Sequence, residues 1–155
     1  MGQKNKKAPV NSNQSLELVS NYVSAIQDRD GDKMGSMRSL EFVLDLVAGD
    51  AFDDSQRTES EAKQFWPAWF KAFPDMNYQV TRTIVTETVV VTEWRFIGTN
   101  AGKLDADIFG KEVDATQKTI RFRGVSIYEI INNLVTRETL YMDLATLWVE
   151  LGVSE

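Results

Sequence analysis

Between Asn77 and Asp143 the chain returns again and again to strict alternation, and no other feature constrains its fold as much. NYQVTRTIVTE and VVVTEWRFIGTN are two β-rich runs parted by a short polar break near Thr86 to Thr88; TIRFRGVSIYEI is a third, and LVTRETLYMD, after an INN turn, is a fourth. Runs separated by breaks this short pair as antiparallel hairpins, so most of this half is expected to be one antiparallel sheet. Because successive side chains point to opposite faces, Val90, Thr92, Trp94, Phe96 and Asn100 share one face of the second run. Ile120, Phe122, Ser126 and Tyr128 share one face of the third, with Arg121 and Arg123 on the other. The polar stretch AGKLDADIFGKEVDATQK interrupts the sheet and is long enough to be a functional loop or lid. Its acids, Asp105, Asp107, Glu112 and Asp114, lack the spacing and central glycine of a calcium loop and are expected to be solvated.

The first half supplies helices. In SLELVSNYVSAIQ, Leu16, Val19, Val23 and Ile26 form one stripe with Leu18, Tyr22 and Ala25 beside it, and DRDGD closes the segment. KMGSMRS fits a short helix or a turn. LEFVLDLVAGDAF alternates as a strand, with Phe42, Leu44 and Leu46 on one side and Glu41, Val43, Asp45 and Val47 on the other. DDSQRTESEAKQFWPAWFKAF places Ala62, Phe65, Trp66, Trp69, Phe70 and Phe73 at helical spacing; Pro67 either kinks this helix or begins its regular part. LATLWVELG ends the chain as a helix with Leu144, Leu147, Trp148 and Leu151 on one face. The sequence of elements is α+β, and 155 residues suit one globular domain, expected over 14–155 behind a mobile tail of residues 1–13.

Composition narrows the chemistry. With no Cys and no His, disulfides, thiol nucleophiles, zinc clusters and imidazole acid–base catalysis are excluded, leaving carboxylates, Tyr, Lys, Arg, amides and bound water. No metal site or cofactor is expected. A net charge of −6 with both signs interspersed offers no positive field for nucleic acid. No apolar run approaches the roughly 20 residues that span a bilayer, and MGQKNKKAPVNSNQS has no apolar signal core, so a cytoplasmic protein is expected.

Asp143 stands where the last strand meets the last helix, and strand parity groups it with Thr139 and Tyr141. A carboxylate there is either an N-cap, accepting a backbone N–H and contributing about 1 kcal/mol, or a catalytic group at the mouth of an enclosed pocket.

The words AFPDM before a strand, TEWRFIGTNAG, DATQKTIRFRGVSIYEI and ETLYMDLATLWVELGV, in this order from about Leu16 to Val153, resemble the SnoaL-like polyketide cyclase family of the nuclear transport factor 2-like superfamily. The resemblance implies a cone: a strongly curved antiparallel sheet wrapped around helices and a deep pocket, its outer face often used for homodimerisation. It also implies that Asp143, just before the terminal helix, is the general acid/base of an intramolecular aldol closure. Where family members commonly carry His in a G-T-H word, this chain has Asn100, and it has Glu150 in place of a Gln; an amide orients or polarises but does not trade protons. Asp45, in FVLDLV, is similar in placement to the base of the related ketosteroid isomerases.

The resulting expectation is a cofactor-independent cyclase or isomerase acting on a small apolar carbonyl substrate. Asp143, its pKa raised by an aromatic environment, is expected beside Tyr141, Asn100 and Trp94, with Phe96, Phe122, Tyr128, Trp66 and Tyr22 completing the pocket. The same aromatics also suit a plain core. Two alternatives stand beside the cyclase: a ligand-binding module without catalysis, and a limonene-type epoxide hydrolase, which needs an Asp-Arg-Asp set around a water although Arg121 and Arg123 have the outward parity.

Overall fold

The computed structural model describes residues 11–47 and 56–153. Helix α1 (Ser12–Gln27) begins slightly earlier than the expected tail boundary: Asn11 caps it, accepting the N–H of Asn13 at 3.0 Å, while residues 1–10 lie outside the described part. The ambiguous segment after it resolves into a short helix, α2 (Gly31–Ser36). Strand β1 (Arg38–Val47) follows, then β2 (Gln56–Thr58) and α3 (Glu59–Ala72). The capping box of Thr58 and Glu61 starts α3, which runs through Pro67 rather than beginning there. Its buried stripe of Ala62, Phe65, Trp66 and Trp69 is the one the spacing predicts.

Strands β3 (Asn77–Val85) and β4 (Val89–Thr99) form the expected hairpin, closed by Thr86, which bonds Val89 through both its backbone and its hydroxyl. The polar insertion contains a single-turn helix, α4 (Ala106–Phe109), and β5 (Thr119–Ile131), β6 (Leu134–Met142) and α5 (Leu144–Leu151) complete the chain. The sheet order is β2-β1-β6-β5-β4-β3. It is mixed rather than wholly antiparallel, because β1 lies parallel to β6. The curved sheet closes around α1 and α3, and its concave side is filled by Tyr22, Ile26, Phe65, Trp66, Trp69, Tyr78, Trp94, Phe96 and Tyr128, all essentially inaccessible. The interior that the sequence reading takes as an open pocket is thus densely lined with aromatic side chains.

The inward faces of β4 and β5 are those that alternation predicts, and β6 departs from it. Its hairpin with β5 turns on Asn132 and Asn133, both at positive φ, which pairs Ile131 with Leu134 and Ile130 with Val135. The next pair is Glu129 with Arg137, so Thr136 is an extra residue, a β-bulge. One inserted residue exchanges the two faces of everything beyond it. Tyr128 is therefore opposite Glu138, and Ser126 opposite Leu140, which turns Glu138 and Leu140 inward and Thr139 and Tyr141 outward.

Candidate functional site

The bulge decides which carboxylate enters the cone. Glu138 is wholly buried, the one buried acid among the described residues. Its Oε2 accepts a long hydrogen bond from the Tyr22 hydroxyl at 3.4 Å, and that hydroxyl in turn accepts from Arg38 Nε at 2.9 Å. Arg38 comes from the start of β1 and is nearly buried, its guanidinium lying over the rings of Tyr22 and Phe42 at 5.6 and 4.8 Å. Burial pushes the Glu138 carboxyl up to about 7, against the opposing pull of Arg38 and of the Tyr22 hydrogen bond. Burial likewise raises the phenols of Tyr22, Tyr78 and Tyr128 well above their usual value, with the Glu138 charge adding to the effect, so all three are O–H donors at neutral pH.

Several polar atoms of the interior have no partner. Glu138 Oε1 makes no hydrogen bond; elsewhere in the interior the buried Thr92 hydroxyl and the indole N–H groups of Trp66 and Trp69 are also without a partner. The hydroxyls of Tyr78 and Tyr128 lie near each other and near Ser126 without hydrogen-bond geometry. Orphaned buried groups each cost about 1–3 kcal/mol, and native interiors keep few of them. Beyond Glu138 the interior becomes purely aromatic. Trp94 donates to Ser126 at 3.0 Å and lies flat enough against β5 that any Cβ on Gly124 would overlap its ring, while Phe96 and Phe122 sit 4.9 Å apart against Trp69.

The carboxylates singled out from the sequence lie elsewhere. Asp143 is exposed and caps α5: Oδ2 accepts the Thr146 hydroxyl at 2.7 Å and Oδ1 the Thr146 N–H at 3.1 Å. Those bonds, in that order of weight, lower its pKa, where an enclosed acid/base with a raised pKa was expected. Its expected neighbours are dispersed for the same reason. Tyr141 is exposed on the outer face, and Trp94 belongs to the interior. Asn100 is buried but fully engaged in holding the insertion: Oδ1 accepts the Thr116 N–H and hydroxyl at 2.8 and 2.9 Å, and Nδ2 donates to the Gly102 carbonyl at 2.7 Å. Asp45 lies on the other side of β1 from Phe42 and Leu44, ion-paired with Arg137. Of the pocket residues read from the sequence, Tyr22 and Tyr128 meet at Glu138, their rings 5.5 Å apart, and Trp66, Trp94, Phe96 and Phe122 line the aromatic part. Glu138, Arg38 and Tyr78 are additions. Among the described residues no cluster of three or more acids is arranged to hold a metal, and no helix is long and apolar enough to cross a membrane.

This architecture has close counterparts. A solved structure of AclR from Streptomyces galilaeus, a proposed hydroxylase, superposes with a TM-score of 0.78 at 18% identity, covering 92% of this chain and 83% of that one. A proposed SnoaL-like polyketide cyclase from Jannaschia sp. CCS1 gives 0.77 at 18% identity, covering 99% of this chain and 100% of that one. An LEH-like epoxide hydrolase from M. tuberculosis gives 0.64 at 14% identity, covering 90% of each. At these identities the likeness establishes the fold alone, and no curated protein matches the sequence. The sequence model described as SnoaL-like polyketide cyclase matches residues 14–151, nearly the whole chain, and the chain belongs to that family.

Proposed function

We propose that the protein is an acid–base enzyme for a small, largely apolar carbonyl compound, a cyclase or isomerase working through side chains alone, with Glu138 rather than Asp143 as the proton-transfer group. The observation that carries this reading is a wholly buried carboxylate, poised near neutrality, with one oxygen unpartnered amid phenol and alcohol donors. In the step envisaged, Glu138 Oε1 takes a proton from the carbon next to the carbonyl, and the electrons of that C–H bond move onto the carbonyl oxygen. Tyr78 or Tyr128 donates a hydrogen bond to the enolate so formed. The enolate carbon then attacks a second carbonyl of the same molecule, whose oxygen takes the proton back from Glu138 to become the alcohol, or the enolate is reprotonated at another carbon by the acid form of Glu138. Because Glu138 is enclosed, the interior must open to admit the substrate. The aromatic end suits a flat, unsaturated skeleton and the Glu138 end its oxygen atoms.

The test is hydrogen–deuterium exchange next to the carbonyl of cyclic and polyketide-like ketones, followed by NMR in D2O. The wild type is expected to catalyse exchange, Glu138→Gln to lose it by about 10²–10⁴-fold, and Asp143→Asn to retain it with stability within roughly 1 kcal/mol, since Asn also caps well. Loss in Asp143→Asn with retention in Glu138→Gln would return the role to the helix cap.

A second reading, a ligand-binding module without turnover, is favoured by one observation: the donors nearest Glu138, Tyr22 and Arg38, already engage each other and one carboxylate oxygen. Saturable binding of such ketones without exchange would select it. The epoxide hydrolase reading lacks support on residues, because Arg121 and Arg123 are exposed and Arg38 has a single buried acid beside it.

A homodimer through the outer sheet face accompanies either reading. Val125 and Ile127 are half-buried there, and the exposed Tyr141 is opposite Val125 across β5 and β6. Light scattering at micromolar concentration is expected to give the mass of two chains, and Ile127→Glu to give one; a wild-type monomer would remove the proposal.

A further inference from the structure

We infer that the groove on the outer face of the sheet, where Arg95, Arg121 and Arg123 converge beside the start of α5, binds a small oxyanion, a phosphate- or carboxylate-bearing molecule. This site lies on the opposite side of the sheet from Glu138 and does not depend on the reaction there. Arg95 and Arg123 are directly opposite each other across β4 and β5, and Arg121 is two residues along on the same face, opposite Ile97. Like charges facing each other across a sheet are destabilising, so in a chain of net charge −6 this arrangement calls for a counter-charge.

The described part of the chain provides only a partial one, and no ion pair within 4 Å reaches these three side chains. The ion pairs formed there by Arg side chains use Arg82 and Arg137, not these three. Glu93, on the same outer face of β4, is engaged across the hairpin by Arg82 at 3.5 Å. Glu150 approaches from α5 but accepts the backbone N–H of Arg121 at 3.3 Å, rather than its guanidinium. Asp143, the acid in the groove itself, has both oxygens engaged by Thr146 and is held down in pKa in part by Arg123, so it balances one of the three cations and leaves two.

The shape is also suited to a ligand. β5 overhangs the end of β6, which stops opposite Gly124, and α5 folds back over the overhang, so strand and helix wall a groove of about 470 Å³. That lies within the range of small-molecule sites, roughly 300–1,000 Å³. Guanidinium groups present paired N–H donors that match both carboxylate and phosphate oxygens, and three cations against the one acid of the lining leave the groove net positive.

The test is calorimetric titration of the full chain with inorganic phosphate and, separately, with citrate, at low ionic strength. Saturable binding of at least one is expected, weakened about tenfold or more in the Arg95→Gln/Arg123→Gln double variant and unchanged in Arg82→Gln, which alters a charge outside the groove. Phosphate alone would identify a phosphorylated ligand, citrate alone a carboxylate. The double variant is also expected to melt higher than the wild type without anion, and to lose the anion-induced rise in Tm. Absence of saturable binding, or equal binding by the double variant, would overturn the inference and leave these arginines a solvated face.

Discussion

Glu138→Gln is expected to be more stable than the wild type by roughly 3 kcal/mol at pH 8 and nearly equal to it at pH 4. The sign follows from the raised pKa. In the unfolded chain Glu138 titrates near the ordinary value of 4.5, and in the folded protein burial moves it to about 7. Below about pH 4 it is protonated in both states and contributes no pH-dependent term. Between the two values the unfolded chain has lost a proton that the folded protein retains, so stability falls by about 1.4 kcal/mol per pH unit; above about 7 the loss is complete and constant. Gln has nearly the same shape and can still accept from Tyr22, but does not titrate. Urea unfolding of both proteins at a series of pH values measures the difference directly. A flat difference from pH 4 to 8 would show that Glu138 is not held at a raised pKa, and would remove the physical basis for its role in proton transfer. Stability sacrificed at the same residue that loses exchange in the D2O experiment would connect the two as one property of the site.

Why Glu138 escapes a reading of the sequence is a matter of one residue. Counting outward from the Asn132–Asn133 turn without interruption pairs Tyr128 with Arg137 and Ser126 with Thr139, which points Tyr141 and Asp143 inward, in agreement with the family expectation. Thr136 breaks that count, and nothing in LVTRETLYMD marks it as a bulge, since Thr is as common in a regular strand as beside an irregular one. The face alternation of β4 and β5, by contrast, is legible because each alternates polar and bulky residues through its whole length. The helices were legible for the same reason, their apolar stripes being long. The short elements α2, α4 and β2 were not, since each is held by tertiary contacts and not by a periodic pattern of its own. Asp143 illustrates the limit of position as evidence. Its residue type and junction satisfy the cap and the catalyst equally, and only the Thr146 bonds separate them. Asn100 shows the same: a buried amide beneath a long insertion looks like a pocket group until its three bonds to Thr116 and Gly102 are seen.

Arg38→Met tests whether the buried cation is what permits an acid at this depth. Arg38 contributes in two ways: its charge favours ionised Glu138, and its guanidinium packs over Tyr22 and Phe42 while donating to the Tyr22 hydroxyl. Met keeps the length and apolar bulk but removes the charge and the donor. The two are linked through the Tyr22 hydroxyl rather than paired directly, and Glu138 can escape by taking up a proton, so at pH 8, one unit above its pKa of about 7, losing the charge costs at most about 1.4 kcal/mol beyond what is lost at low pH. At pH 5 Glu138 is already neutral in the folded wild type, so only the ring contacts and the hydrogen bond to Tyr22 are lost, about 1–2 kcal/mol. The Glu138 pKa is expected to rise further in the variant, because its largest lowering influence is gone. Adding Glu138→Gln to Arg38→Met removes the uncompensated carboxylate, so the double variant is expected to be more stable at pH 8 than Arg38→Met alone. The coupling measured by the cycle of the four proteins should be greater at pH 8 than at pH 5, by up to about 1.4 kcal/mol. A coupling of the same size at both values would mean that the two side chains interact through packing, and that Tyr22, which touches both, rather than the charge of Arg38, holds the acid in the cone.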